Sequence, residues 1–361
     1  MAQIPLVDVR AQYAPLIPQL LERFRDVLEQ AELILGPNVA AFEEEAAAYL
    51  GVPETIGVAN GTDALVLVLD ALGIGPGDEV VCPAFTFYAT AESIVRRGAT
   101  PVFADVDATT MNLDAADVAA KGTARTKAIL PVHLFGRPAP VGELTELGIP
   151  IVEDAAQAFG APGVARTGVA STFSFYPTKN LFALGDGGLV AVTDPELGER
   201  VRMLRFHGSR DKVDFQLIGY NSRLDELQAA ALRVFLAHLD EWTRLRREAA
   251  ARYAELGLGE LCELPPDEPG HVYHLFVCRS PERDSIRAAL TRAGIGTATY
   301  YVTPLHLQPA LRFLGYEAGS LPETERLARE NFSVPLWAGI AAATQERIVE
   351  AVRSTAPVAT R

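Results

Sequence analysis

The chain has 361 residues, 49% hydrophobic, 22% charged and 8% aromatic, which is enough apolar material for a large core and more than one average domain. Its 46 acidic and 32 basic side chains leave a formal charge of −14, and with no lysine- or arginine-rich block nucleic-acid binding has little support, so the acidic surface reads as a solvated one. No run approaches about 18 uncharged apolar residues, the start lacks a basic-then-apolar signal pattern, and Cys82, Cys262 and Cys278 lie far apart without metal-ligand spacing; the expectation is a cytoplasmic protein with reduced, mostly buried thiols, no membrane span and no metal.

Residues 1–50 read as an N-terminal arm followed by helices, with Gly36-Pro37 separating two helical patterns. From residue 55 short apolar runs alternate with helical stretches. The runs are Ile56–Ala59, Glu79–Cys82, Val102–Val106, Ala128–Val132, Ile151–Glu153, Ser171–Ser174 and Gly188–Val192. Such alternation predicts an α/β domain over 51–244, with a mainly parallel sheet flanked by helices and buried on both faces. One long helix is expected from about Ser222 to Leu256. A smaller α+β domain is expected over 245–361, with a strand at Val272–Cys278, a helix at Asp284–Ala293, another strand and a last helix at Gln345–Val352.

Four features carry chemistry. Gly61-Thr62-Asp63 follows a strand and opens a helix, where free N–H groups and the helix dipole suit a phosphate; a plain N-cap by Thr62 or Asp63 fits the same residues. Phe87, after the strand ending at Cys82, is either an aromatic plate for a flat ring or a core aromatic. Asp154 ends an apolar strand, where ligands of open α/β sheets bind, and is either a partner for a ring nitrogen or a turn aspartate. Gln157 lies three residues on, within reach of the same ring.

Lys179 follows in Ser174-Phe175-Tyr176-Pro177-Thr178-Lys179-Asn180, ahead of Gly185-Asp186-Gly187-Gly188. An amine among apolar and aromatic neighbours has its pKa lowered and suits a Schiff base to pyridoxal phosphate. The same amine can carry the proton between the cofactor and the substrate carbon. Ser174 can add a hydrogen bond to the phosphate. The order is phosphate-binding turn, plate, acid at a strand end, then lysine.

The chain closely resembles the DegT/DnrJ/EryC1/StrS sugar aminotransferases over essentially its whole length. The carrying stretches are Gly61-Thr62-Asp63-Ala64-Leu65, Gly77-Asp78-Glu79-Val80, Pro83-Ala84-Phe85-Thr86-Phe87, Val132-His133-Leu134-Phe135-Gly136, Glu153-Asp154-Ala155-Ala156-Gln157, Lys179-Asn180, and Asn221-Ser222-Arg223-Leu224-Asp225-Glu226-Leu227-Gln228. The resemblance implies a fold-type-I pyridoxal 5′-phosphate enzyme, a homodimer with shared active sites, that moves an amino group from L-glutamate to a nucleoside-diphosphate-linked keto sugar. It makes Lys179 the Schiff-base lysine and Asp154 the pyridine partner. It makes Phe87 the stacking aromatic and Gln157 the neighbour of the ring hydroxyl. Gly61, Thr62 and Ser174 fall at the phosphate, and Asn221 reaches the phosphate of the neighbouring subunit. Tyr176, Arg223, Tyr301 and His306 are the candidate substrate contacts. Arg223 is either a fork for a glutamate carboxylate or a structural salt bridge.

The run from Phe175 to Gly188 is most similar to members that aminate C3, which implies a dTDP-linked 3-keto-6-deoxyhexose; a 4-keto or UDP-linked sugar is the alternative. Dehydrating members replace the lysine by histidine, and Lys179 argues against that chemistry. The intact cofactor set argues against a non-catalytic regulatory protein. The chain departs from the family pattern twice, in a shorter link between Gly160 and Ser174 and in Tyr300-Tyr301-Val302, which stands where the family has His-Tyr-Pro.

Overall fold

A computed structural model describes residues 3–355. Seven strands build the large sheet: β1 (Glu54–Val58), β2 (Glu79–Pro83), β3 (Thr100–Ala104), β4 (Thr126–Ile129), β5 (Val152–Asp154), β6 (Ala170–Ser174) and β7 (Gly188–Val192). They pair in the orders β1-β7-β6-β5 and β3-β2-β4. Parallel bridges between Ile129 and Ile151, and between Val132 and Asp154, join the two sets. Only β7 runs antiparallel to its neighbours. The expected strands are present, with ends that differ by a few residues.

Alternation along each strand sends side chains into two cores, one on each face. Ile56, Val58, Val190 and Val192 pack against the helices Gly61–Ala71, Ala89–Arg96 and Pro195–Arg205. Phe173, Leu189 and Ala191 pack against the helices Pro37–Leu50 and Glu226–Leu236.

The long helix expected over 222–256 is two helices, Glu226–Leu236 and Leu239–Glu255. The first opens at Asp225, whose side chain accepts from Gln228 N at 2.8 Å. The apolar stripe continues through the break, because Trp242 stacks back on Phe182 and lies 5.8 Å from Phe235. A continuous stripe reads as one helix in sequence.

The C-terminal unit pairs β8 (Phe276–Arg279) with β9 (Asn331–Val334), antiparallel, under the helices Arg283–Arg292 and Ala342–Arg353. The expected strand from Val272 starts late. Val272 and His274 instead donate to Gly136 O and Phe135 O, each at 2.9 Å. The helix Pro322–Glu330 was not anticipated from the sequence. The helix Leu239–Glu255 spans the expected boundary near 245. Its Leu239 and Trp242 belong to the large core, while Ala249, Ala250 and Tyr253 belong to the C-terminal one. The N-terminal arm also joins the C-terminal core: Ile4 is buried there, bonded to Gly294 O at 2.9 Å and to Gly296 N at 2.8 Å. Among the described residues no helix is long and apolar enough to cross a membrane, and all three cysteines are free and buried.

Candidate active site

Strand register collects the chemistry on one edge of the sheet. Asp154 lies opposite Thr172, Ser174 opposite Gly188, and Gly188 opposite Val58. The carboxyl ends of β1, β5 and β6 therefore meet where β7 begins. Ligands of open α/β sheets bind at such an edge.

The turn after β1 forms one side. Asn60, rather than Thr62 or Asp63, caps the helix Gly61–Ala71, its Oδ1 accepting from Asp63 N at 2.8 Å. Among the described residues the N–H groups of Gly61 and Thr62 have no acceptor, which leaves them for an anion at the positive end of the helix. A Cβ at residue 61 would stand 2.7 Å from Ser174 Cβ. A Cβ at residue 188 would stand 2.4 Å from the Asn60 backbone. Both glycines let β6, β7 and the helix start come together, so that Ser174 Oγ lies beside the free N–H groups.

Asp154 forms the floor. It is 5% exposed, and its Oδ2 accepts from Thr90 Oγ1 at 2.9 Å, its Oδ1 from Ala156 N at 3.2 Å. Burial raises its pKa, offset in part by Thr90, Ala156 and the positive charge of Lys179. Lys179 is partly buried, in a turn closed by its N–H donating to Tyr176 O at 2.9 Å. Burial lowers its pKa to about 8, with Asp154 pulling the other way. The two groups thus sit in one another's field, each biased towards its neutral form by burial.

Gln157 is fixed in orientation. Its Oε1 accepts from Phe135 N at 2.8 Å, and its Nε2 donates to Tyr301 OH at 3.3 Å. One N–H of the amide stays free for a ring oxygen. Phe87 is 58% exposed, its ring 6.4 Å from that of Tyr301. It is therefore not a core aromatic, and its open face suits a stacked ring.

Tyr176 is exposed, three residues before Lys179. Asn221 is exposed too, bridged to Phe206. The Arg223 guanidinium lies over the Phe206 ring at 5.9 Å, and among the described residues no carboxylate pairs with it, so the salt-bridge alternative has no partner. His306 is different: it is 1% exposed, and its Nε2 shares a hydrogen bond with Glu325 at 3.1 Å. So enclosed a ring has no face to offer a substrate, and the expectation of a direct contact is corrected to a packing role.

Several residues of the site had no sequence signal. Thr90 meets Asp154 only because β2 lies two strands from β5 in the sheet order. Below Asp154, His133 Nδ1 accepts from Ala139 N at 2.9 Å, so its Nε2 carries the proton towards Glu153 Oε2 at 2.8 Å. The short link before β6 closes over the same carboxylate, with Gly168 N and Ala165 N donating to it at 2.8 and 3.2 Å. Burial pushes Glu153 up, but these donors outweigh it and hold its pKa below the usual value. The shortened link therefore has a buried job close to the site.

These residues fit pyridoxal phosphate. A cradle of unpaired N–H groups kept open by Gly61 would suit its phosphate, a buried acid its ring nitrogen, and an amine of lowered pKa its aldehyde. The sequence profile of the DegT/DnrJ/EryC1/StrS aminotransferase family matches residues 16–353. The chain is 45% identical to the "pleiotropic regulatory protein" of Geobacillus stearothermophilus, over 97% of each chain. It is 43% identical to a UDP-N-acetyl-3-dehydro-α-D-glucosamine 3-aminotransferase of Acidithiobacillus ferrooxidans, over 98% of each. It is also 43% identical to the dTDP-3-amino-3,4,6-trideoxy-α-D-glucose transaminase of Streptomyces venezuelae, over 98% of this chain and 96% of that one. Among solved structures, S. venezuelae DesV in complex with a ketimine intermediate superposes with a TM-score of 0.95 at 42% identity, covering 99% of this chain and 100% of that one. Bacillus subtilis NtdA with bound cofactor PMP superposes at 0.93, with 29% identity over 98% and 85%.

Proposed function

The chain belongs to the DegT/DnrJ/EryC1/StrS aminotransferase family and is a pyridoxal-phosphate-dependent nucleotide-sugar aminotransferase, and we propose that it moves the amino group of L-glutamate to C3 of a dTDP-linked 3-keto-6-deoxyhexose. The products are an amino-deoxy sugar nucleotide and 2-oxoglutarate. The observation that carries the reading is the pair at the sheet edge: a buried Asp154 and a Lys179 amine of lowered pKa, beside the open turn at Gly61. The C3 choice draws on relatives of this chain whose names specify a 3-amino sugar, one dTDP-linked and one UDP-linked.

When bound, the cofactor supplies an electron-withdrawing ring that stabilises negative charge on the substrate carbon. Asp154, held by Thr90, keeps a proton on the ring nitrogen by charge pairing. Gln157 offers its free N–H to the ring oxygen, and Phe87 covers one face of the ring. Gly61, Thr62 and Ser174 hold the phosphate. Lys179 Nζ takes the proton from the donor carbon and returns it at the cofactor carbon; a pKa near 8 suits both directions near neutral pH. Arg223, without a carboxylate of its own, is the fork for glutamate. Tyr176 and Tyr301 line the sugar side.

Asn221 lies in the open beside Phe206, and in a homodimer it reaches the phosphate of the neighbouring subunit. The large apolar side chains Leu21, Leu28, Leu33 and Ile218 are exposed in the single chain, which supports a covering second copy.

The test is a panel assay with pyridoxal phosphate and L-glutamate. dTDP- and UDP-linked 3-keto and 4-keto hexoses are compared by release of 2-oxoglutarate and appearance of the amino sugar. The dTDP-linked 3-keto-6-deoxyhexose is expected to show the highest kcat/KM. Turnover of 4-keto sugars alone would overturn the C3 assignment.

A further inference from the structure

β1 lies at an edge of its sheet, and side chains rather than a further strand occupy its outer side. The outward-facing backbone groups recur at every second residue. Thr55 O accepts from Arg202 Nη2 at 3.1 Å. Gly57 N donates to Glu43 Oε1 at 2.8 Å, and Gly57 O accepts from Arg205 Nη1 at 2.6 Å. Ala59 N donates to Ser222 Oγ at 3.2 Å. The fit is close: a Cβ at residue 57 would stand 3.1 Å from Leu224 Cβ and 3.4 Å from Glu43 Oε1.

These side chains are also bound to one another. Glu43 and Arg205 are each 7% exposed and meet at 2.6 Å, while the second Glu43 oxygen takes Arg202 Nη1 at 2.7 Å. Arg205 O accepts from Ser222 N at 3.0 Å, and beside it Phe206 bridges Asn221. Glu226, four residues after Ser222, holds the start of the helix Pro37–Leu50 that carries Glu43: its carboxylate accepts from Asn38 N and Val39 N, each at 2.8 Å. A buried ion pair is weak support for stability, because apolar residues of similar volume often do as well. Apolar residues cannot hold the N–H and the C=O of Gly57 at once, and a fixed place for β1 is what the pair adds.

β1 leads straight into the turn Asn60-Gly61-Thr62. On the inner side of that turn the Asn60 backbone lies so near Gly188 that a Cβ there would stand 2.4 Å away. On the outer side Ser222 holds Ala59. A shift of β1 is therefore passed on to the N–H groups of Gly61 and Thr62.

We propose that Glu43, Arg205 and Ser222 are positioning residues for the cofactor's phosphate: by holding the outer side of β1 at Gly57 and Ala59, they set where the free N–H groups of Gly61 and Thr62 stand. This rests on the reading of that turn as the phosphate site. None of the three needs to touch the cofactor.

The test compares pyridoxal phosphate with pyridoxal, which lacks the phosphate, on the full chain stripped of cofactor. Wild type, Glu43→Gln and Ser222→Ala are titrated with each. The adduct is reduced with borohydride, the fraction of Lys179 modified is read by mass spectrometry, and thermal melts are run alongside. E43Q removes the charge that faces two arginines; S222A removes one acceptor with little change of shape. E43Q should take up pyridoxal phosphate at least about tenfold more weakly, and S222A about threefold more weakly, while half-saturation by pyridoxal stays within about twofold of wild type in both. Equal losses for the two ligands, or melts that fall while both affinities hold, mean that these residues only support the fold, and overturn the proposal. Should E43Q not fold, S222A decides alone on the same ratio. A wild type that takes up pyridoxal as readily as pyridoxal phosphate overturns the reading of the turn as the phosphate site, and the proposal with it.

Discussion

Thr90 Oγ1 donates to Asp154 Oδ2 at 2.9 Å, from a helix that follows β2 to the acid that ends β5. The carboxylate is oriented by a connection distant from it in the chain. Thr90→Val keeps the shape and removes the donor. Hydrogen bonds to charged groups are worth about 1.5–3 kcal/mol, so kcat should fall by about 10–100-fold. The pKa of Asp154 should rise further, since Thr90 is the largest influence opposing its burial. Steady-state kinetics with glutamate checks this; a kcat within about twofold of wild type would show that Thr90 is only packing.

The Lys179 amine predicts a pH profile. Its pKa is lowered to about 8, by burial first, and only the neutral amine attacks an aldehyde. Cofactor loading of the stripped protein should therefore quicken about tenfold per pH unit up to about pH 8 and then level off. The sign for stability follows from the same shift. The folded amine binds its proton less tightly than the unfolded one, so the cofactor-free chain should gain stability as pH rises from about 8 towards about 10.4. Stopped-flow loading rates and thermal melts across that window check both.

Much of this was legible in the sequence because it is local. Gly61 follows a strand and precedes a helix, Asp154 ends an apolar run, and Lys179 precedes a glycine run. What was not legible depends on strands and segments far apart in the chain. Thr90 reaches Asp154 through the sheet order, and Glu153 is enclosed by His133 and by the link at 165–168. The break between Leu236 and Leu239 was hidden because the apolar period runs through it. The resemblance placed His306 at the substrate, and its burial was not legible for the same reason: Glu325, which engages it, comes from a separate helix.

Gly61→Ala tests the phosphate cradle. The new methyl would lie 2.7 Å from Ser174 Cβ, so either β6 or the helix start must shift. Overpacking of this kind typically costs about 1–3 kcal/mol. The larger effect should fall on the cofactor, because both phosphate-facing groups move. Equilibrium titration should show pyridoxal phosphate bound at least about tenfold more weakly, while borohydride still traps the residual adduct on Lys179. Unaltered affinity would remove Gly61 from the phosphate site.

A shared site makes a prediction that no single variant can. Lys179→Ala lacks the amine, and Asn221→Ala lacks the side chain assigned to the neighbouring subunit's phosphate. Each should be nearly inactive alone. If Asn221 serves the other subunit, a mixed dimer carries both lesions in one site and leaves its second site intact. Random mixing makes about half of the dimers mixed, so activity should recover to about a quarter of wild type. Asn221 is exposed in the single chain and bridged to Phe206, next to the segment closed by the Ser209–Phe215 bridge, a placement open to a second chain. Refolding the two variants together and measuring amino-sugar formation decides it: a mixture no more active than its separate components means that the site is completed within one chain.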